Sequence, residues 1–366
     1  MIKILAVLLS VIFALTGCTG GSTSDEAANQ ASGGSESQGS SWRTEVPRIS
    51  PTQEPETEAM ETAEETTVEA DDILILYTGD VRCGVNDGIG YAGVAALKNE
   101  LQKNNDYVAL VDCGDATQGA EIGDASEGLY IIDIMNHLGY DLATLGDHEF
   151  DYGMAALQKN MDQANYPYTV CNLEYTGEGE SPLSGLRSYV IKEYGGVKVA
   201  FVGATAPSVL KGDSAEHFSE DGNCVYDLCA GDGTELCERI QEAADEARDE
   251  GASYVILVSH LGTEDEACGV YAVAANTDGI DAILDGGAGN AAGEQILENK
   301  AGGKVILSQT GSGLADVGLL TITAKGNISS SLISGYPDSD KNTQSVVDGL
   351  LTDGDDAEAE KDSREK

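Results

Sequence analysis

The chain has little positive charge. It carries 20 lysine and arginine residues against 64 aspartate and glutamate residues, a formal net charge of −44 over 366 residues. A basic surface is what attracts nucleic acid and anionic lipid headgroups to a folded protein. The charge balance therefore argues against nucleic acid, and against anionic lipid, as a direct partner of the folded part.

The chain also lacks an N-terminal apolar run long enough to span a bilayer comfortably. Residues 4–14 form a short apolar run that follows Lys3 and precedes Leu15-Thr16-Gly17-Cys18, the order found in secretion signals. The last four residues resemble a bacterial lipobox, in which the signal is cut before the cysteine and the cysteine receives lipid. We expect residues 1–18 to be a lipoprotein signal peptide and Cys18 to anchor the protein on the extracytoplasmic face of the cell membrane. A plain apolar helix is the alternative.

Paired cysteine motifs are missing. Eight cysteines are present, and without a lipidated Cys18 seven remain, an odd number at irregular spacing with no CxxC pair. This argues against a structural zinc site. Cys224, Cys229, Cys237 and Cys268 are the candidates for pairing or for remaining free thiols.

Composition divides the rest of the chain into three regions. Residues 19–72 are mostly Ser, Gly, Thr, Glu, Ala and Pro, which predicts a disordered acidic linker. Residues 73–335 alternate β-rich apolar runs with helical stretches, which predicts an α/β domain. The acidic composition of residues 336–366 predicts a solvated tail.

Polar clusters follow four predicted strands of this domain. Asp80, Asp115, Asp147 with His148, and His260 each come shortly after a β-rich run. Carboxyl ends of strands are where α/β folds place their chemistry, and converging carboxylates and imidazoles are how two-metal hydrolases are built. We therefore expect these side chains to meet at one edge of the sheet.

The segment Gly146-Asp147-His148-Glu149-Phe150-Asp151 admits three interpretations by itself. An imidazole among carboxylates can hold a metal or position a general acid, and Asp151 can instead cap the helix that follows.

Taken together, the clusters resemble a known family. Similarity to the calcineurin-like metallophosphoesterases, in their bacterial 5′-nucleotidase branch, is carried by Thr78-Gly79-Asp80-Val81, Gly114-Asp115, the segment 146–151 and Ser259-His260-Leu261-Gly262. The resemblance covers about residues 73–333, the catalytic domain alone, so we expect the family's second, nucleobase-holding domain to be missing. It implies a layered β-sandwich of mixed sheets flanked by helices, and metal-dependent phosphoester hydrolysis.

The family's ligand motifs are incomplete here. They are Asp-x-His, Gly-Asp, Gly-Asn-His-Glu, a lone His and Gly-His-x-His. By the resemblance, the first metal position corresponds to Asp80, Arg82, Asp115 and Gly289, and the second metal position corresponds to Asp115, Asp147, His260 and Gly287. Arginine has no lone pair to offer and glycine has no side chain. The chain has four histidines in all, two of which lie outside the motifs: His137, expected at a helix end, and His217, expected at the surface.

We therefore expect the first metal position to be empty and the second to hold at most one divalent ion, or none. Asp147 stands where the family has a neutral amide, which favours Mg²⁺, Mn²⁺ or Ca²⁺ over Zn²⁺. The resemblance also implies an intact catalytic dyad, His148 oriented by Asp151. Arg82 is hypothesised to fold into the first metal position and pair with Asp80 or Asp115; a solvent-facing Arg82 is the alternative.

The glycine-rich loop 285–290 is interpreted as a metal loop that has lost its histidines rather than as a nucleotide-binding loop, and a helical segment is expected after it. Two functions follow. One is a membrane-anchored, weak or inactive phosphoesterase relative that binds a phosphorylated small molecule or no ligand. The other is an active hydrolase of phosphoesters such as nucleotides that uses a single ion.

Overall fold

A computed structural model describes residues 72–287 and 289–364 of the chain. The predicted signal peptide, the lipidated Cys18 and almost all of the predicted linker lie outside the described residues. Within the described part, no helix combines the length and the apolar character that crossing a membrane requires.

The domain contains sixteen described strands. They are β1 (Ile73–Thr78), β2 (Tyr107–Asp112), β3 (Leu142–Thr144), β4 (Tyr168–Thr169), β5 (Glu174–Tyr175), β6 (Tyr189–Tyr194), β7 (Val197–Thr205), β8 (Ser219–Glu220), β9 (Asn223–Cys224), β10 (Tyr226–Asp227), β11 (Tyr254–His260), β12 (Ala282–Asp285), β13 (Ala291–Glu298), β14 (Lys304–Thr310), β15 (Asp316–Ile322) and β16 (Ile328–Ser334).

Seven α-helices are described with them. They are α1 (Gly90–Leu101), α2 (Glu121–Ser126), α3 (Leu129–Leu138), α4 (Met154–Gln163), α5 (Thr234–Asp249), α6 (Val270–Asn276) and α7 (Lys341–Arg364). Short 3₁₀ turns cover His148–Phe150, Pro207–Lys211 and Asp213–Phe218.

Two six-stranded mixed sheets form the centre of the domain. The first has the order β16-β15-β1-β2-β3-β4, in which the strands from β1 to β4 run parallel and β15 and β16 pair antiparallel. The second has the order β13-β14-β12-β11-β7-β6, with a parallel centre and antiparallel edges. Hairpin β6–β7 turns at Gly195-Gly196.

Strand alternation explains how the layers pack. Ile73, Ile75 and Tyr77 of β1 point to one face, where they join Phe201 and Val258 of the second sheet in a buried core between the sheets. The opposite faces are covered by helices, with α1 and α3 on the first sheet and α5 and α6 on the second. The predicted layered β-sandwich of mixed sheets flanked by helices is confirmed.

Three predictions about segments are corrected. Loop 285–290 is followed by strand β13 and not by a helix, and strand β16 was not predicted. The predicted solvated tail is wrong for its first part, because α7 packs against α1, α2 and α3 and its Val347 is fully buried. Apolar residues at helical spacing, Val346, Val347, Leu350 and Leu351, are the signal that the acidic composition obscured.

The seven described cysteines are free thiols, and five of them are buried. His137 lies in the last turn of α3, as expected. His217 is half-buried beside Gly153 rather than simply on the surface.

Candidate active site

The turn that follows β1 fixes Asp80 and Arg82 in unusual backbone conformations. Both have φ of +50°, and Asp115 in the neighbouring turn has φ of +60°. The two turns are tied together, since the Asp80 amide donates to the Gly114 carbonyl at 2.9 Å and the Arg82 amide to the Asp115 carbonyl at 2.7 Å. Non-glycine residues rarely adopt positive φ, and the cost is typical of functional sites. The strain here serves to aim Asp80 and Asp115 at one point.

The Glu149 carboxylate connects the loops that follow β2 and β3. Its buried carboxylate accepts from the amides of Asp115 at 2.8 Å, Ala116 at 2.8 Å and Gly146 at 2.7 Å, and from the amide and hydroxyl of Thr117 at 3.2 Å. One carboxylate therefore joins the loop after β2 to the loop after β3. Glu149 is a positioning residue that sets where Asp115 and Asp147 stand.

His260, at the end of β11, presents one ring nitrogen to the carboxylates. Its Nδ1 donates to the Cys113 carbonyl at 2.8 Å, which leaves Nε2 to face inward. Nε2 lies 3.3 Å from Asp115 Oδ2, 3.5 Å from Asp147 Oδ1 and 3.9 Å from Asp80 Oδ1. The four residues predicted to meet therefore do meet.

Two glycines permit this close approach. A Cβ on Gly114, whose φ is +90°, would lie 2.5 Å from the Gly146 amide nitrogen. A Cβ on Gly286 would lie 2.5 Å from His260 Nδ1. The absence of side chains at these positions lets the two sheets' loops touch.

His148 sits at the head of a hydrogen-bonded chain. Its Nδ1 contacts Asp151 Oδ2 at 2.7 Å, and the other oxygen of Asp151 accepts from the Ser214 hydroxyl. The His148 amide donates to Asp115 Oδ1 at 2.9 Å. Helix α4 has Gly153 as its N-cap and no side-chain cap, so the helix-cap interpretation of Asp151 is excluded.

Arg82 reaches the site without entering it fully. Its Nη2 lies 2.5 Å from His148 Nε2, and its Nη1 lies 4.0 Å from Asp115 Oδ2. Its side chain keeps 43% of its surface exposed. The hypothesis of a pair with Asp115 holds only at the limit of ion-pair distance, and the shortest contact, to His148, was not foreseen.

Gly287 and Gly289 lie at the rim where the resemblance placed them. A Cβ on Gly287 would be 3.2 Å from His260 Cδ2, and the backbone amide of Gly289 donates to Asp80. Both glycines have φ of +62°. Gly287 therefore lies beside His260 and Gly289 beside Asp80, and neither has a side chain to offer.

Similar proteins point to one family. A family model described as bacterial capsule synthesis protein PGA_cap matches residues 124–288. The trifunctional nucleotide phosphoesterase protein YfkN of Bacillus subtilis is 29% identical over 257 residues, which are 61% of this chain and 17% of YfkN. Snake venom 5′-nucleotidase of Gloydius brevicauda is 29% identical over 231 residues, 59% of this chain and 36% of the venom protein.

Solved structures show the same fold. The 5′-nucleotidase precursor from Thermus thermophilus matches with a TM-score of 0.66 at 20% identity, over 77% of this chain and 58% of that one. Calcineurin-like phosphoesterase YfkN from Bacillus subtilis matches with a TM-score of 0.62 at 23% identity, over 77% of this chain and 97% of that one. These similarities support the resemblance of the chain to the calcineurin-like metallophosphoesterases, in their 5′-nucleotidase branch. The chain spans between 17% and 38% of the length of the curated relatives it matches.

Burial and nearby opposite charges shift the pKa values of this site in opposite directions. Burial opposes charge on Asp115, yet nearby His260 and His148 lower the pKa of Asp115 below its usual range. Burial likewise works against protonated His260, but the charge of Asp115 raises the His260 pKa well above the usual value. Burial, partly offset by His260, raises the pKa of Asp80. Asp115 is therefore the charged centre of the cluster.

His148 experiences opposing influences. Burial lowers the pKa of His148, and nearby Arg82 lowers it too. The charge of Asp115 and the hydrogen bond to Asp151 outweigh both, so the pKa of His148 is raised overall. A guanidinium has only donors, so at 2.5 Å from Nε2 it requires that nitrogen to accept. In this arrangement Nδ1 donates to Asp151 and Nε2 accepts from Arg82.

The residues of the second metal position fit one divalent ion. Asp115 and Asp147 supply carboxylate oxygens 3.3 and 3.5 Å from the inward-facing Nε2 of His260, whose other ring nitrogen is already satisfied. Asp80, Asp115 and His260 offer atoms within 4.8 Å of one another, and so do Asp115, Asp147 and His148. Asp80 already accepts from the Gly289 amide, and Arg82 Nη1 lies 4.0 Å from Asp115 Oδ2.

Three supporting residues were missed by sequence reasoning. Ser214 donates to Asp151, and Asp285 accepts from Ser259 Oγ at 2.7 Å and from the Leu261 amide at 2.9 Å, which fixes the His260 loop. Asp112 accepts from Thr78 Oγ1 at 2.6 Å and joins the ends of β1 and β2. Asp112 and Asp285 end buried strands with a carboxylate, the one signal that could have revealed them.

Proposed function

We propose that this chain carries an eroded phosphoesterase site that holds at most one divalent ion, binds a phosphoryl group, and turns phosphoesters over weakly or not at all. The observation that carries this proposal is the position of Arg82. Its guanidinium stands where the family has a metal-binding histidine and donates to the imidazole that would act in catalysis.

The remaining ion position supports binding rather than full catalysis. Asp115, Asp147 and His260 would hold the ion, which would polarise a bound phosphoryl oxygen. Two-metal phosphoesterases use one ion to generate hydroxide and both ions to stabilise the in-line transition state. A site that keeps one position lacks half of that stabilisation.

Arg82 adds a second obstacle to turnover. While His148 Nε2 accepts a hydrogen bond from Arg82, it has no proton to give to a leaving group or to a developing negative charge. A bound phosphoryl group would have to displace Arg82 from His148 before that nitrogen could act. Weak or absent turnover follows from this competition.

A single-ion hydrolase is the second candidate, and one observation favours it. The chain from His148 through Asp151 to Ser214 is complete and holds the imidazole in a fixed orientation. A phosphoryl ligand that accepted the Arg82 donors would release His148 for catalysis.

Purified full-length protein with Mn²⁺ would be tested with AMP and with bis(p-nitrophenyl) phosphate, together with metal analysis. We expect at most one ion per chain, lost in His260→Ala, and phosphate release near background. Metal-dependent turnover that His148→Ala abolishes would replace the binding proposal with the single-ion hydrolase. Two bound ions would overturn both.

We also propose that the protein is a lipoprotein held at the extracytoplasmic face of the membrane through Cys18. The small residues before Cys18 and the basic start of the run 4–14 support this. In cell fractionation, the wild-type protein should partition with membranes and Cys18→Ser should not. Equal membrane partitioning of the two would contradict lipidation at this cysteine.

A further inference from the structure

The formal charge at this site differs from that of a complete site. In the family's pattern, two aspartates and two divalent ions give a net charge of plus two around the phosphoryl group. Here Asp80, Asp115 and Asp147 face Arg82 and, on the proposed function, one divalent ion, which gives a net charge of zero. Relative to that pattern Arg82 adds one positive charge and Asp147 adds one negative charge, so the two cancel in the sum and the lower net charge equals the charge of the one ion that is not held.

Both changed residues stand at the mouth of the site. The Arg82 side chain is 43% exposed and the Asp147 side chain is 50% exposed, whereas Asp115 and His260 are buried. They approach the same atom of the dyad, because His148 Nε2 lies 2.5 Å from Arg82 Nη2 and 3.6 Å from Asp147 Oδ2. An incoming anion therefore meets one positive and one negative group side by side.

Arg82 has further N–H groups that could donate to such an anion. A guanidinium carries five N–H groups, and the structure assigns one to His148, with Asp115 at the limit of ion-pair distance. The exposed remainder can donate to two oxygens of a phosphoryl group at once, the geometry in which arginine binds oxyanions well. Asp147 limits how much negative charge that group can carry, because like charges a few ångströms apart repel strongly.

We propose that this site selects singly charged phosphodiesters over doubly charged phosphomonoesters, with Arg82 as the oxyanion-binding residue and Asp147 as the residue that rejects the second negative charge. The proposal rests on the proposed function, since it assumes an ion held by Asp115, Asp147 and His260, in which both carboxylates lie within 3.5 Å of His260 Nε2. A phosphodiester carries one negative charge, whereas a phosphomonoester carries close to two above neutral pH.

Isothermal titration of the Mn²⁺-loaded full chain at pH 8 would compare two probes that share a leaving group. They are bis(p-nitrophenyl) phosphate, a monoanion, and p-nitrophenyl phosphate, a dianion. We expect wild-type protein to bind the diester at least about 10-fold more tightly, a difference near 1.4 kcal/mol. Equal or tighter binding of the monoester would overturn the proposal, as would failure of metal-loaded protein to bind either probe.

Variants separate the two roles. Asp147→Asn should bring monoester affinity up to or above diester affinity, because it removes the negative charge and keeps an oxygen ligand. Arg82→Ala should weaken both probes by about 10-fold or more, and Arg82→Lys should restore part of that loss because it keeps the charge without the paired donors. An unchanged diester-to-monoester ratio in Asp147→Asn, or unchanged affinities in Arg82→Ala, would refute the assigned roles.

Arg239→Ala is the matched control. Arg239 has a similarly exposed side chain, at 41%, and pairs with Glu174 at 2.8 Å rather than with any residue of the site. It should bind both probes as wild type does. Metal content measured in every sample keeps the two proposals apart: two bound ions, or no binding of either probe, defeats the proposed function, whereas no bound ion, or a bound ion without diester preference, defeats only the selectivity.

Discussion

The two expected metal positions share Asp115 and differ in the residues that surround it. At the second position, His260 Nε2 lies 3.3 Å from Asp115 Oδ2 and 3.5 Å from Asp147 Oδ1. At the first, Asp80 accepts from the Gly289 backbone and Arg82 leans toward His148. On the proposed function, one position keeps metal-binding chemistry and the other has a guanidinium beside it in place of an ion. The same two tied backbone turns support both positions.

The largest expected effect comes from removing the difference between the two positions. Arg82→His, Asp147→Asn, Gly287→His and Gly289→His together should raise metal content to two ions and raise phosphoester turnover by roughly 10²–10³-fold, because two ions then share the transition-state charge. Metal analysis and hydrolysis of bis(p-nitrophenyl) phosphate would measure this.

The control for this variant is Arg82→His with Asp147→Asn alone, which restores no loop histidine. A Cβ at Gly289 meets nothing within 4 Å, but both loop glycines have φ of +62°, so the loop must adjust to accept histidine. A folded quadruple variant that still binds one ion would show that the assignment of Gly287 and Gly289 to the ligand loop is wrong.

The next largest effect is on Mn²⁺ affinity, and it compares Asp115, which both metal positions share, with Asp80, which belongs to the first position alone. Asp115→Asn should lower Mn²⁺ affinity by about 100-fold or more, since losing a ligand exceeds the 10–100-fold typical of residues that only orient ligands. Asp80→Asn should change affinity far less, because Asp80 belongs to the first position. Titration of each variant with Mn²⁺ would decide, and equal losses in the two would mean that the ion bridges both positions.

A third prediction concerns the scaffold of the second position. In Glu149→Gln, the side-chain NH₂ must face backbone amides that now donate to a carboxylate oxygen, so buried donors lose their acceptor. We expect a loss of about 2–3 kcal/mol in the free energy of unfolding, measured by urea denaturation. Glu174→Gln, at an exposed site, is the control, and a similar loss in both would contradict a special role for Glu149.

The smallest effect concerns the scaffold of the first position, where Asp112 joins β1 to β2. Burial raises the pKa of Asp112 to about 8. A raised carboxyl pKa in the folded state means that its stabilisation is complete below about pH 4, its unfolded range, and declines as the pH rises to about 8. Asp112→Asn should flatten this decline and stabilise the protein by on the order of 2 kcal/mol at pH 8 relative to wild type.

Urea denaturation of wild type and Asp112→Asn across pH 5 to 8 would measure the prediction for Asp112. The variant keeps an oxygen to accept from the Gly114 amide and an NH₂ to donate to the Thr78 hydroxyl, so it tests charge more than packing. Parallel stability curves for the two proteins would show that Asp112 does not titrate in this window.

Much of the site could be anticipated because its signals are local. Each ligand follows a β-rich run, and the carboxyl ends of parallel strands share one edge of a sheet, so Asp80, Asp115, Asp147 and His260 were expected to converge. Arg82 was harder, because its partner depends on side-chain reach across two turns. Ser214 lies 63 residues beyond Asp151 and carries no motif, so its hydrogen bond had no sequence signal.

The sequence by itself determined the layered α/β architecture and the identity of the groups at the site, because hydrophobic periodicity and residue chemistry are written along the chain. Which group each one touches was decided only by the tertiary structure. His148 contacts Arg82, and the acidic C-terminal segment forms a helix that packs on the domain through Val347. Contacts of this kind depend on distances of a few tenths of an ångström between residues far apart in the chain, which local patterns do not encode.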